Sequence, residues 1–337
     1  MTRQERAEAS DQVDPAARGA GGGATDRATD GATDRATDRA RGALVGLAVG
    51  DALGTTVEFQ RPGSFEPVTD MVGGGVFGLE PGQWTDDTSM ALCLAESLVA
   101  RRGFDPTDQL QRYVRWWRDG HLSSTGSCFD IGNTTAAALR AYEETGEPDS
   151  GPTDPHAAGN GSLMRLSPVA IAYRHSPAEA VRLAGESSRT THGAAECVDA
   201  CRWFAGLLVG AIHGRTKAEL LAPDYRPYAG AAAPATPAVR AVAAGSYLRR
   251  EPPDITASGY VIDTLEAALW AFARSNGFEE AVLAAVNLGR DADTVGAVCG
   301  QLAGAHYGES AIPTRWRERL ALGGTIGELV DGLLALA

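Results

Sequence analysis

From Arg41 onward one pattern recurs. Apolar residues fall at helical spacing, first at Ala43, Leu44, Leu47, Ala48, Ala52 and Leu53, and again over 88–101, 107–118, 132–144, 178–187, 193–212, 261–274, 278–287 and 294–307. Strand-type alternation is nearly absent, so the chain is expected to be all-α, a compact assembly of many helices. Between Val295 and Ala305, Gly and Ala recur at helical spacing. Glycine weakens a helix by roughly 1 kcal/mol relative to alanine, so its repeated use points to backbones that must approach closely. That helix is expected at the centre of the fold.

Two acidic clusters interrupt this pattern, Thr85-Asp86-Asp87 and Asp291-Ala292-Asp293-Thr294. Asp86 and Asp87 precede an apolar run and fall at a helix start, where exposed amides and the helix dipole favour carboxylates. Asp291 and Asp293, two apart, would point to different sides of a continuous helix, so they are expected in a turn leading into the helix near Thr294. Either cluster could be a set of N-caps. If the fold joins them, four carboxylates and two hydroxyls supply hard oxygen ligands for two divalent cations, whose four positive charges balance the four negative ones. Without metal the same carboxylates would repel and take up protons. A dinuclear metal site is therefore expected.

Composition sets the limits. Residues 1–40 repeat Ala-Thr-Asp-Arg from Ala24 and contain almost no large apolar side chain, so they are expected to be a disordered low-complexity tail before a domain over 41–337. A net charge of −13, with no large Lys/Arg cluster, disfavours duplex nucleic acid as the main partner. No apolar stretch follows Met1–Arg6 and no segment is long enough to span a bilayer, so the cytoplasm is the expected location. The cysteines at 93, 128, 197, 201 and 299 lack metal-ligand or framework spacing and read as reduced, mostly buried thiols. The Pro- and Ala-rich segment 222–253 reads as an irregular surface excursion.

Other motifs lie between the acidic clusters. Gly50-Asp51-Ala52-Leu53-Gly54 ends the first helix, and Glu58 follows on an expected mobile loop, able to swing over a site or to remain a solvated surface residue. Asp130, between Phe129 and Ile131, precedes a Gly-Asn turn and a new helix; it is either a cap or a partly buried acid suited to proton transfer. Gly159-Asn160-Gly161-Ser162 is an ordinary turn or an anion-binding loop with free amides. His192, near a helix start, can touch a ligand or be structural, and Tyr260 offers an aromatic wall or core packing.

Taken in order, Gly50–Gly54, Thr85–Thr88, Phe129–Asn133, Gly159–Arg165, Thr191–Gly193, Tyr260–Trp270 and Gly289–Thr294 resemble the ADP-ribosylglycohydrolases over about 41–307, and most of all the dinitrogenase reductase-activating glycohydrolases. The resemblance implies two Mg²⁺ or Mn²⁺ ions held by Thr85, Asp86, Asp87, Asp291, Asp293 and Thr294. It also implies a pyrophosphate loop at Gly159, Asn160, Gly161 and Ser162, and His192 and Tyr260 lining an ADP-ribose pocket. Asp130, as in the bacterial branch, or Glu58, as in other branches, would transfer the proton. The implied activity is hydrolysis of the bond between ADP-ribose and a protein side chain, arginine foremost, with an ADP-ribosylated protein as substrate and ADP-ribose as product. Rival readings are a serine, nucleic-acid or O-acyl linkage, or a non-catalytic ADP-ribose-binding or structural protein.

Overall fold

Gly42, Gly46, Gly50 and Gly54 recur every four residues and so form one stripe along a helix. The computed structural model describes residues 22–336, with side-chain surroundings from residue 34 onward. The stripe belongs to α1 (Gly22–Gly54), and it lies against the glycines of α12 (Ala292–Tyr307). A Cβ added to Gly42, Gly46 or Gly50 would stand 2.3, 2.3 or 2.0 Å from the carbonyl oxygens of Gly304, Gly300 and Gly296. The two helices therefore touch backbone to backbone, a separation that any side chain would forbid. This contact places Asp51, next to Gly50, beside Asp293, three residues before Gly296.

The longer intervening helices follow the apolar periods, and three short ones fall where no period was read. In order they are α2 (Asp86–Arg101), α3 (Pro106–Asp119), α4 (Asn133–Thr145), α5 (Ser167–Ala172), α6 (Pro177–Arg189), α7 (Ala195–Ile212), α8 (Lys217–Leu220), α9 (Pro237–Ala243), α10 (Val261–Arg274) and α11 (Phe278–Val286), with α5, α8 and α9 the short ones. After α12 come α13 (Thr314–Arg317) and α14 (Gly323–Leu334). Local signals set many ends. Asp105 caps α3 by accepting from the amides of Thr107 and Asp108, with Pro106 in the first turn, and Gly120 closes it at φ 70°. Helix α12 packs against α2, α7, α10 and α11, and every residue from Ala292 to Ala305 is buried, in the central place its small residues predict. Among the described residues the only β pairing is two isolated bridges, Gly74–Leu79 and Gly159–Tyr260. The all-α expectation holds.

A compact unit begins at Ala36. Asp38 accepts from the amide and hydroxyl of Ser310, Arg39 donates to the His306 carbonyl, and Ala40 is fully buried, contacts that composition does not reveal. Residues 1–21 of the expected tail lie outside the described residues, whereas α1 begins at Gly22. Helix α14 carries no clear period in the sequence because Gly323, Gly324, Gly327 and Gly332 dilute it, yet Ile326, Val330 and Leu333 form a buried stripe. The 222–253 excursion is irregular as expected but includes α9, and Asp199 of α7 anchors the residues just before it by accepting from the amides of Ala235 and Thr236. Cys93, Cys197, Cys201 and Cys299 are buried free thiols, and Cys128 is half-buried. No described helix is long and apolar enough to cross a membrane.

Candidate active site

The two acidic helix starts are capped from elsewhere in the chain. Thr85, at the N-cap of α2, makes no capping bond with its own side chain. Asp51, from the last turn of α1, supplies the cap instead. Its carboxylate accepts from Thr85 N (2.9 Å), Thr85 Oγ1 (2.9 Å), Thr88 N (3.0 Å) and Thr88 Oγ1 (2.7 Å). At α12, Asp291 occupies the N-cap without capping, while Glu58 Oε2 accepts from Ala292 N (2.8 Å) and Asp293 N (3.4 Å). With these amides satisfied, Asp86, Asp87 and Asp291 are not needed as caps; Asp293 Oδ1 accepts from Thr294 N (2.8 Å), which leaves its Oδ2 facing the other acids.

The clusters converge. Thr85 Oγ1 lies 3.3 Å from both Asp87 Oδ2 and Asp293 Oδ2, and Thr294 Oγ1 lies 3.4 Å from Asp87 Oδ2. Two sets of three acids, Asp51-Asp87-Asp293 and Glu58-Asp291-Asp293, each bring carboxylate oxygens within 4.8 Å of one another, and Asp293 belongs to both. Asp87 Oδ1 is buried with no hydrogen-bond partner among the described residues. A carboxylate oxygen left bare in a crowd of acids is what a cation would satisfy, so the residues present fit a divalent metal pair.

The electrostatics agree. Burial first, and then the neighbouring acids, push the carboxyls of Asp86 and Asp87 well above the ordinary range and those of Asp291 and Asp293 up to about 7. Asp51 is raised by burial, against its four hydrogen bonds. In the unfolded chain these groups titrate near pH 4, so the metal-free folded protein holds protons that unfolding releases, and its stability falls as pH rises from about 4 through about 7. Buried His192, pushed down to about 3, contributes an opposite slope below about pH 6.5, so the diagnostic quantity is the difference that metal makes. The rise in melting temperature on adding millimolar Mg²⁺ or Mn²⁺ to chelator-treated protein is expected to grow between pH 5 and pH 8. A flat or falling difference would contradict metal binding at these acids.

Above the acids opens a cavity of about 700 Å³, lined by Glu58, Asp86, Asp130, Asp291, Asp293 and Thr294 on one side and by Gly159, Asn160, Gly161 and His192 on the other. Thr85 and Asp87 lie beneath this lining, fully buried. Glu58 is only 3% exposed, which replaces the surface reading: its amide contacts to α12 hold it in, and the segment before it winds into a 3₁₀ turn, Thr55–Val57. Burial and the charges of Asp293, Asp291 and Asp130 raise it far above the carboxylate range. Asp130 is half-buried at φ 57°, a backbone conformation that few non-glycine residues adopt, and its carboxyl is raised to about 6 by burial and by Asp51 and Asp291.

The glycine loop departs in part from expectation. Gly159 N and Asn160 N donate to the carbonyls of Ala157 (2.8 Å) and Gly259 (3.1 Å), so they are not free for an anion. The Asn160 side-chain amide donates to Asp291 Oδ2 (2.7 Å) and Thr264 Oγ1 (2.9 Å), which makes it a support for the acid cluster. Ser162 does not reach the cavity; its hydroxyl lies against Ser188 Oγ (2.9 Å) in the interior. Tyr260 also stays outside the lining, 38% exposed, with its hydroxyl donating to Glu196 (2.6 Å), so neither the pocket wall nor the core claims it. Gly161 is needed where it is: a Cβ there would stand 2.8 Å from His192 Cε1.

Sequence reasoning assigned no role to Asp51. The signal was present, because this acid occupies an apolar position of the α1 period, and a charge on a core-facing stripe requires partners. The Asn160–Asp291 bond carries no such signal, since the two residues are 131 apart.

A family model described as ADP-ribosylglycohydrolase matches residues 32–337. The ADP-ribosylarginine hydrolase Tri1 of Pseudomonas putida (strain GB-1) is 46% identical over 280 residues, covering 83% of this chain and 73% of the relative. The ADP-ribosyl-[dinitrogen reductase] glycohydrolase of Rhodospirillum rubrum is 35% identical over 290 residues, covering 84% and 91%. A solved structure titled as an ADP-ribosylglycohydrolase-related protein complex superposes with a TM-score of 0.79 at 48% identity, covering 90% of this chain and 99% of that one. The motifs expected from the sequence, the helical architecture and the match across nearly the whole compact unit thus agree: the chain belongs to the ADP-ribosylglycohydrolase family.

Proposed function

We propose that the protein hydrolyses the glycosidic bond between ADP-ribose and an arginine side chain of a modified protein, and so reverses mono-ADP-ribosylation in the cytoplasm. The observation that carries this reading is the pair of acid triads sharing Asp293 under a cavity, with Asp87 Oδ1 left bare. In this reading Thr85, Asp86, Asp87, Asp291, Asp293 and Thr294 hold two divalent cations, Mg²⁺ or Mn²⁺. When bound, such ions supply charge stabilisation and lower the pKa of a coordinated water.

The remaining roles belong to the chain. Hydrolysis places the water oxygen on the anomeric carbon and a proton on the departing guanidine nitrogen. Asp130 is the better proton carrier, because it is half-buried, lines the cavity and is raised above the ordinary carboxylate range first of all by burial. Glu58 lines the cavity too, but its Oε2 is committed to the amides of Ala292 and Asp293, which gives it a holding role at the start of α12. Asn160 steadies Asp291, and Gly161 N, which has no protein acceptor among the described residues and lines the cavity, remains available to a phosphate oxygen.

One feature supports arginine over an uncharged acceptor. Phe59 and Phe129, each next to one of the two carboxyl candidates, are joined by Phe77 at centroid distances of 6.2 and 5.2 Å. Phe59 also lines the cavity and is 62% exposed. Aromatic faces beside carboxylates suit a guanidinium. The test is release of ADP-ribose from arginine-linked and serine-linked conjugates, with and without chelator. Expected is release from arginine that stops on chelation and returns with Mg²⁺ or Mn²⁺; serine-only turnover, or turnover indifferent to chelation, would reject the reading.

A further inference from the structure

Arg165 is a fully buried cation with no carboxylate partner among the described residues. Its guanidinium carbon lies 4.6 Å over the ring of Tyr113, and its nitrogens donate to Gly161 O (2.8 Å), Ser187 O (3.3 Å), Thr190 Oγ1 (3.3 Å) and Thr191 Oγ1 (2.7 Å). An unpaired charge at that depth is unfavourable unless something uses it. The residue it holds most tightly is Thr191, whose Oγ1 stands 2.8 Å from His192 Nδ1.

Hydrogen-bond valence settles what this contact does. A guanidinium only donates, so Thr191 Oγ1 accepts from Arg165. The hydroxyl proton then needs an acceptor, and among the described residues His192 Nδ1 is the one within reach. A neutral imidazole carries one N–H, so with Nδ1 accepting, the hydrogen sits on Nε2. The opposite tautomer would leave the buried Thr191 proton unbonded, a penalty of about 1–3 kcal/mol. Burial and the nearby Arg165 charge both keep the ring neutral. His192 Nε2 has no protein partner among the described residues and lies where Cβ atoms on Gly159 or Gly161 would stand 3.3 or 3.1 Å away, at the cavity wall.

We propose that Arg165 and Thr191 are positioning residues that lock His192 as the neutral Nε2–H tautomer, so that it presents a fixed donor to an oxygen of the substrate's ADP-ribose moiety. Glycines at 159 and 161 leave the ring edge open for that oxygen. The ligand half of the inference rests on the functional reading given above; the tautomer half does not.

Two measurements test it. In the metal-free wild-type protein, the ¹⁵N resonances of His192 should show an unprotonated Nδ1 and a protonated Nε2 that do not titrate between pH 5 and pH 8. A protonated Nδ1 would overturn the relay without any variant. Calorimetry with ADP-ribose then compares Thr191→Ser, which keeps the hydroxyl, with Thr191→Val, which removes it. Thr191→Val should mix the tautomers and weaken ADP-ribose by about 10- to 100-fold, whereas Thr191→Ser should bind within about threefold of wild type. Equal affinity in wild type and Thr191→Val would overturn the donor role. Failure of the wild type to bind ADP-ribose would count against the functional reading, and the ¹⁵N result would still decide the relay.

Discussion

Replacing Asp293 with alanine should reduce ADP-ribose release from arginine-linked substrate by about a thousand-fold or more, because several kcal/mol of transition-state charge stabilisation are lost when a dinuclear site is broken. Asp293 is the sensitive position because it belongs to both acid triads, so its loss weakens two cation positions at once. Stability should move the other way. Asp293 is buried among Asp51, Glu58, Asp87 and Asp291, and in the absence of metal its removal relieves like-charge repulsion. The chelator-treated variant should therefore melt at the same temperature as chelator-treated wild type or higher, and only the wild type should gain from added Mg²⁺ or Mn²⁺. Activity within tenfold of wild type would refute the metal assignment. A large loss of stability without metal would show that the side chain matters for folding instead.

The second large effect concerns packing. Gly50→Ala would place a methyl group 2.0 Å from the Gly296 carbonyl oxygen, and neither backbone can rotate away. Overpacking of a core typically costs 1–3 kcal/mol, and a backbone-to-backbone clash belongs at or above the upper end, so a loss of about 3 kcal/mol and a fall in melting temperature of about 5–10 °C are expected. Turnover of the folded fraction should fall as well, because separating α1 from α12 moves Asp51 away from Asp293. Gly324→Ala is the control. That glycine lies in α14 with nothing within 4 Å of the added Cβ, so alanine should stabilise by about 0.5–1 kcal/mol. If both substitutions behave alike, the close crossing is not what holds the acids in register.

Every long helix after α1 and before α13, from α2 to α12, is legible from apolar period, since burial of one face is a local property of spacing. Both acidic clusters were legible as helix starts for the same reason. Whether they served as caps or as ligands was not, because that depended on Asp51 and Glu58 arriving from other segments to take over the capping. Glu58 reads equally as a loop acid able to swing over a site or as a solvated residue, and it is among the most buried acids. Ser162 and Tyr260 share a motif with cavity residues yet face elsewhere, since adjacency along a turn does not determine which way a side chain points.

The amino-acid order by itself determined the all-helical architecture, the central place of the glycine-rich α12 and the acidic residues available for chemistry, because period, propensity and residue type act over a few turns of chain. The tertiary structure alone decided which acids share a charge, which are capped in trans and which glycines let α1 meet α12. Those outcomes depend on distances between segments from 34 to more than 200 residues apart, set by packing that no local pattern encodes.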